Sequence, residues 1–182
     1  MTKHVAIILG STRPTRISPE IAKWAQNILN QGSIQYDIID LKKVNLPFLD
    51  EEEMPMTGKY HKQHTLQWSK TIKSYDGIIF LFPQYNWGYP AVLKNAIDYL
   101  GKEWQNKPVS CITYGFHGGA QSYASMLLVM SCLKMKRMAV NPSISISQRM
   151  FNGSSFIDID KDLKPYVNDI KLLHMNFVNI LE

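Results

Sequence analysis

The sequence has few of the groups that carry enzyme chemistry in their own side chains. It has two cysteines, Cys111 and Cys132, both in apolar contexts. So few cysteines exclude a disulfide scaffold and predict buried thiols in a reducing compartment. Its five histidines (His4, His61, His64, His117, His174) form no HxxxH and no paired-Cys pattern, so no metal site is expected. No Ser or Cys sits in a nucleophile elbow. No stretch approaches the roughly 18 apolar residues that a membrane span requires. The N-terminus, MTKHVAIILGSTRP, has too short an apolar run for a signal peptide and no small-residue cleavage site. The chain therefore reads as cytoplasmic. A concentrated basic stripe is also missing. The net charge of +5 is modest and spread along the chain, which predicts an anionic small ligand and no nucleic acid.

What is present is an ordinary globular composition, 45% hydrophobic and 19% charged, which excludes disorder of the chain as a whole. No linker, composition break or internal repeat divides it. Residues 1–182 are expected to form one domain with a sizeable core.

Apolar strand-like runs alternate with helical patterns. The strands are expected at His4–Leu9, Ile34–Leu41, Gly77–Phe82, Val109–Tyr114 and about Met138–Ile146. The helices are expected at about Pro19–Leu29, Lys59–Ser74, Pro90–Leu100, Ala120–Lys134 and Leu163–Leu181. In the first helix Ile21, Ala25, Ile28 and Leu29 keep the helical spacing i, i+4, i+7, i+8. GIIFLF, from Gly77 to Phe82, is apolar without a break, as a parallel strand covered on both faces requires. Strict alternation predicts a doubly wound α/β sheet with right-handed crossovers. Ligands then bind beyond the carboxyl ends of the strands, at the switch point of strand order.

Three loops lie there. GSTRPTRIS, Gly10–Ser18, offers a tight turn, hydroxyls and two arginines, with Ser18 as N-cap and Pro19 at the first helical position. Unpartnered N–H groups at a helix start, with Arg13 and Arg16 beside them, suit a phosphate. The loop is neither GxxxxGK[ST] nor GxGxxG. PQYNWGYP, Pro83–Pro90, carries Tyr85, Asn86, Trp87 and Tyr89, with Gly88 and Pro90 setting its turn. Taken alone, it suits a planar heterocycle as well as it suits a cap on the core or a subunit contact. YGFHGGAQS, Tyr114–Ser122, has three glycines that let backbone pass close to a ligand. His117 reads as a polar loop residue, since nothing beside it forms a triad. Three ligand loops with little acid–base machinery suggest that a cofactor does the chemistry.

The fourth helix is apolar nearly all round, through Tyr123, Met126, Leu127, Leu128, Val129, Met130 and Cys132. It is covered either by the core or by a second subunit. The acidic run Glu51–Glu52–Glu53 reads as a solvated loop, and Val92–Leu100 as packing.

At these loops the sequence resembles the NADPH-dependent FMN reductase family, with its flavodoxin-like fold. The likeness covers about the first 140 residues and rests on GSTRPTRIS, PQYNWGYPAVLKNAIDYL and YGFHGG. It looks especially like the cytosolic quinone reductases of that family, including the yeast type. The resemblance implies a three-layer α/β/α sandwich with a five-stranded parallel sheet ordered 2-1-3-4-5. It implies FMN, with Ser11, Arg13, Ile17 and Ser18 around the phosphate. Pro83, Gln84, Tyr85, Asn86 and Trp87 would lie along the isoalloxazine, and Tyr114, Gly115, Gly118 and Gly119 at its pyrimidine side. No residue is assigned a catalytic role of its own. NADPH or NADH would give a hydride to the flavin, and a quinone, azo compound or free flavin would take the reducing equivalents in the same pocket. A homodimer or tetramer is implied as well. Phe116 is bulky where many relatives carry glycine. The rival readings are a flavodoxin-like electron carrier and a basic interaction protein without redox work.

Overall fold

Covering a sheet on both faces asks each inner strand to be buried at every position, and β3 (Gly77–Pro83) is buried along its whole length. The computed structural model describes residues 2–30 and 32–181. In chain order β1 (His4–Leu9) leads into α1 (Ser18–Leu29), and β2 (Gln35–Asp40) into α2 (Leu41–Val44) and α3 (Gln63–Lys73). Next, β3 leads into α4 (Ala91–Asp98), and β4 (Pro108–Gly115) into α5 (Ala120–Cys132). Then follow β5 (Lys136–Arg137), β6 (Ser143–Ser145), β7 (Phe151–Asn152), β8 (Ser155–Phe156), α6 (Ile159–Asp162) and α7 (Val167–Leu181). The main sheet runs β2-β1-β3-β4-β5, with β6 also on β4, and every pairing in it is parallel. That is the flavodoxin-like order 2-1-3-4-5.

Side chains alternate across the sheet and build two cores. Val5, Ile7, Leu9, Ile79, Leu81 and Ile112 pack with Ile21, Ala25 and Leu29 of α1 and Ile170, Leu173 and Phe177 of α7. Ala6, Ile8, Ile78, Phe80 and Cys111 pack on the other face with Trp68 and Ile72 of α3, Leu93 and Ile97 of α4, and Met126 and Met130 of α5. The period of two in the strands meets the helical period on both sides.

Several boundaries differ from the sequence reading. The fifth strand is split: β5 pairs with the start of β4 and β6 with its end. Pro142 has no N–H to give to a ladder between them. The Asn141 side chain fills part of the gap, its Oδ1 accepting from Cys111 N at 3.0 Å and its Nδ2 donating to Met138 O at 2.9 Å. The last helix, expected from about Leu163, starts as a 3-10 turn at Lys164–Tyr166 with Pro165 inside it and becomes α7 at Val167, while the short α6 comes before that expected start. Helix α5 stops at Cys132, because Lys134 takes a left-handed φ of 53°. Cys132 is exposed, against the expectation of two buried thiols, while Cys111 is buried. Glu51 is more than a solvated acid: its carboxylate accepts from His61 N and Lys62 N and so fixes the chain ahead of α3. No helix among the described residues is long and apolar enough to cross a membrane.

Candidate active site

Strand β1 lies between β2 and β3, and the chain leaves the end of β1 towards β2 but the end of β3 towards β4, in opposite directions. The crevice this opens is the general ligand position of an open α/β sheet. It contains a cavity of about 880 Å³, within the range usual for ligand sites. Three loops and one further segment line it.

The loop after β1 comes first. Gly10 N donates to Leu81 O at 2.8 Å, and a Cβ on Gly10 would lie 3.0 Å from both Phe82 and Leu93. Only glycine brings the chain that close to β3. Arg16 then turns back, forking onto both oxygens of Asp40 at 2.6 Å each and donating to Ser11 O at 2.7 Å. Both side chains of that pair are 11% exposed. Arg16 therefore shapes the loop from the tip of β2, while Arg13 stays exposed at the cavity. The residue capping α1 is Ile17 and not Ser18, and its side chain makes no capping hydrogen bond. Ser18 is the first helical residue, with Pro19 after it. Its hydroxyl is buried without a well-aligned hydrogen bond and faces Tyr114. An uncapped helix start, the buried Ser18 hydroxyl beside Tyr114 and the exposed Arg13 together form a donor set that fits a phosphate.

The loop after β3 is a two-residue hairpin turn. Tyr85 and Gly88 exchange both backbone hydrogen bonds, at 2.9 and 2.8 Å. The turn residues are Asn86 and Trp87, with φ of 48° and 68°. Positive φ at both is the geometry of a type I′ turn. Gly88 is therefore a pairing residue and not the turn centre. Trp87 points away, 70% exposed. The Tyr85 hydroxyl meets Ser11 Oγ at 2.9 Å and ties this loop to the first. Gln84 N donates to Tyr114 O at 3.1 Å and ties it to the third.

The loop after β4 bends on Gly118 and Gly119, with φ of 72° and 85°. Gly118 O accepts from Thr113 Oγ1 at 2.7 Å and from Ser143 Oγ at 2.9 Å. Tyr114 is buried at the floor, and burial drives its phenol pKa up, so the hydroxyl stays neutral. Phe116 is 71% exposed, and His117 is exposed beside it on the rim.

Of the residues picked from sequence, Ser11, Arg13, Ile17, Pro83, Gln84, Tyr85, Tyr114 and Gly115 line the cavity. Ser18, Asn86, Trp87, Gly118 and Gly119 are not among its lining residues. The last four of these shape the loops that do line it. The lining also includes Thr15, Arg16, Phe116 and His117, and, from the C-terminal part, Ile146, Gln148, Phe151, Gly153 and Ser154. That last group was missed. Its signal was FNGSSF, a Gly-Ser pair (Gly153–Ser154) flanked by aromatics, which is a hairpin signature, and Asn152 pairs with Ser155 across it. Asn95 was missed too. It holds the loop after α2, donating to Pro47 O at 2.7 Å and accepting from Leu49 N at 3.0 Å.

The Ser11–Tyr85 bond can be tested alone. Tyr85→Phe is expected to cost about 1 kcal/mol of stability. It should also weaken retention of a ligand held between the two loops by a few fold. Denaturant unfolding and ligand titration check both, and a variant identical to the parent in both would show that the bond ties nothing.

The family model for NADPH-dependent FMN reductase matches residues 3–148. An NAD(P)H-dependent FMN reductase of Schizosaccharomyces pombe is 36% identical over 186 residues, covering 100% of this chain and 92% of that protein. One of Saccharomyces cerevisiae is 36% identical over 143 residues, 72% of this chain and 75% of that protein. Among solved structures, the NAD(P)H:(acceptor) oxidoreductase FerB of Paracoccus denitrificans superposes with a TM-score of 0.76 at 21% identity, covering 98% of each chain. The last likeness concerns the fold. The first three concern descent, and on them this chain belongs to the NADPH-dependent FMN reductase family.

Proposed function

We propose that the three strand-end loops bind FMN in the crevice and that one cavity then serves NAD(P)H and a small-molecule acceptor in turn. Membership of the family makes the chain an oxidoreductase dependent on NAD(P)H and FMN. FMN, when bound there, would supply the redox chemistry between NAD(P)H and the acceptor. The protein's residues bind, orient and shield. Ser11, Arg13, Ile17 and Ser18 would hold the FMN phosphate at the start of α1. Pro83, Gln84 and Tyr85 would run along the FMN ring, and Asn86 and Trp87 set the turn that fixes Tyr85. Tyr114 and Gly115 close the far side, with Gly118 and Gly119 giving that loop its path. The observation that carries this reading is the cross-linking of the loops, Ser11 to Tyr85 and Gln84 to Tyr114, around a single cavity.

The acceptor in this reading is a quinone, azo compound or free flavin. The whole chain acts as one FMN-binding unit in the cytoplasm, as a homodimer or tetramer. The outer face of α5 supports the subunit contact, since Leu128 is 76% exposed there. The exposed thiol of Cys132 suits a reducing compartment.

An absorbance spectrum tests the reaction class. The purified protein should be yellow, bleach with NADPH and recover with a quinone. Protein that retains no FMN and oxidises no NADPH with FMN added would overturn the reading. Yellow protein that NADPH cannot bleach without a separate reductase would indicate an electron carrier instead.

A further inference from the structure

One wall of the cavity belongs to none of the three strand-end loops. It comes from the segment that ends in β7 and β8, and it lies largely past residue 148, where the family match stops. Phe151 lines the cavity and packs on Phe156 with ring centroids 4.7 Å apart. Both rings rest against the core under α1 and α7. Phe156 N donates to Glu20 Oε2 at 3.1 Å, across 136 residues of sequence. Glu20 stands in the first turn of α1, the helix that begins at the phosphate-type loop. The hairpin is thus pulled back from the β6 edge of the sheet to the start of α1. Four paired residues do not make a stable hairpin by themselves, so this anchor and the aromatic packing set its position.

We infer that the β7–β8 hairpin is the acceptor-side wall of the cavity, with Phe151 as the stacking face for a flat aromatic acceptor and Glu20 as the positioning residue. The inference rests on the flavin-reductase reading. Phosphate and ring are already provided for by the three loops. What this segment adds to the cavity is the aromatic Phe151, with the amide-bearing Gln148 and the hydroxyl-bearing Ser154 also on the lining. A ring face with edge hydrogen bonding recognises a planar, carbonyl-bearing molecule such as a quinone. A small inorganic oxidant gains nothing from it.

The test uses purified holoenzyme, NADPH, and two acceptors, 1,4-naphthoquinone and ferricyanide. Phe151→Ala should raise the KM for the quinone about tenfold relative to that for ferricyanide, with kcat nearly unmoved. Glu20→Ala should give part of that rise. Glu20→Gln, whose side-chain oxygen still accepts the Phe156 N–H, should restore the parent value. FMN retained per chain should match the parent in all three. Calorimetric titration with naphthalene-2-sulfonate, which is not reduced, should show the same loss of affinity without turnover. An unchanged quinone KM, both in Phe151→Ala and in a chain with residues 152–155 replaced by Gly-Gly, overturns the inference. Loss of FMN in step with the KM overturns it too, because the hairpin would then belong to the cofactor's cradle. A parent protein that binds no FMN and reduces neither acceptor defeats the flavin reading instead.

Discussion

Asp40→Asn is expected to lower stability at neutral pH by about 2–3 kcal/mol and to weaken FMN retention about tenfold. The Arg16–Asp40 fork is bidentate and nearly buried. Removing the charge leaves a guanidinium facing an amide in a place that water reaches poorly. Some water does reach it, which keeps the cost below that of a fully buried pair. The binding effect follows because the same guanidinium holds Ser11 O, and with it the shape of the loop. A double-mutant cycle separates pair from parts. Arg16→Ala with Asp40→Ala should cost clearly less than the sum of the two single changes. Additive costs would mean that the pair contributes nothing as a pair.

The same carboxylate predicts a pH dependence. Burial alone would raise the Asp40 pKa. The Arg16 hydrogen bonds and charge, the Lys42 N–H and the Lys43 charge outweigh it, and the group ionises below its ordinary 3.8. A depressed folded pKa adds stability that is complete above the unfolded value and is lost as pH falls through the folded one. The stability gap between parent and Asp40→Asn should therefore close below about pH 4. Chemical unfolding at a series of pH values measures it, and a gap that persists in acid would contradict the assignment.

Gly118→Val is expected to cost about 3 kcal/mol or more and to abolish FMN retention. Two causes add. The residue must hold φ near 72°, which L side chains resist, most of all a β-branched one. Its Cβ would also collide with Ser143 Oγ, which donates to Gly118 O. Gly153 provides the control, with φ of 66° and nothing within 4 Å of the added Cβ. Gly153→Ala should cost only the backbone part, about 1–2 kcal/mol. If Gly118→Ala proves no worse than Gly153→Ala in thermal or denaturant unfolding, then packing against β6 does not hold this loop.

Much of the site was readable locally. Gly10 after the first strand, Pro83 at the end of the third, and the glycines after Tyr114 marked loops where ligand loops belong. The turn type was not read, because Asn86-Trp87 lacks the Asn-Gly form that advertises positive φ. The tight pairing of Tyr85 with Gly88 imposes that conformation on a tryptophan. The C-terminal wall was not read either. Its composition says hairpin, but nothing in FNGSSF says where the hairpin lands.

By itself the sequence determined the alternation of strands and helices, burial on both faces of β3, and the three loops that gather at one edge. Those are properties of neighbours in the chain, and periodicity with Gly and Pro encodes them. The tertiary structure alone decided that Arg16 answers Asp40 and not a ligand. It alone split the fifth strand around Asn141, left Cys132 outside, and returned Phe156 to Glu20. Each of these depends on which distant segments meet once the sheet has formed. A hydrogen-bonding side chain can choose among many partners, and only the packed sheet settles which one comes within 3 Å.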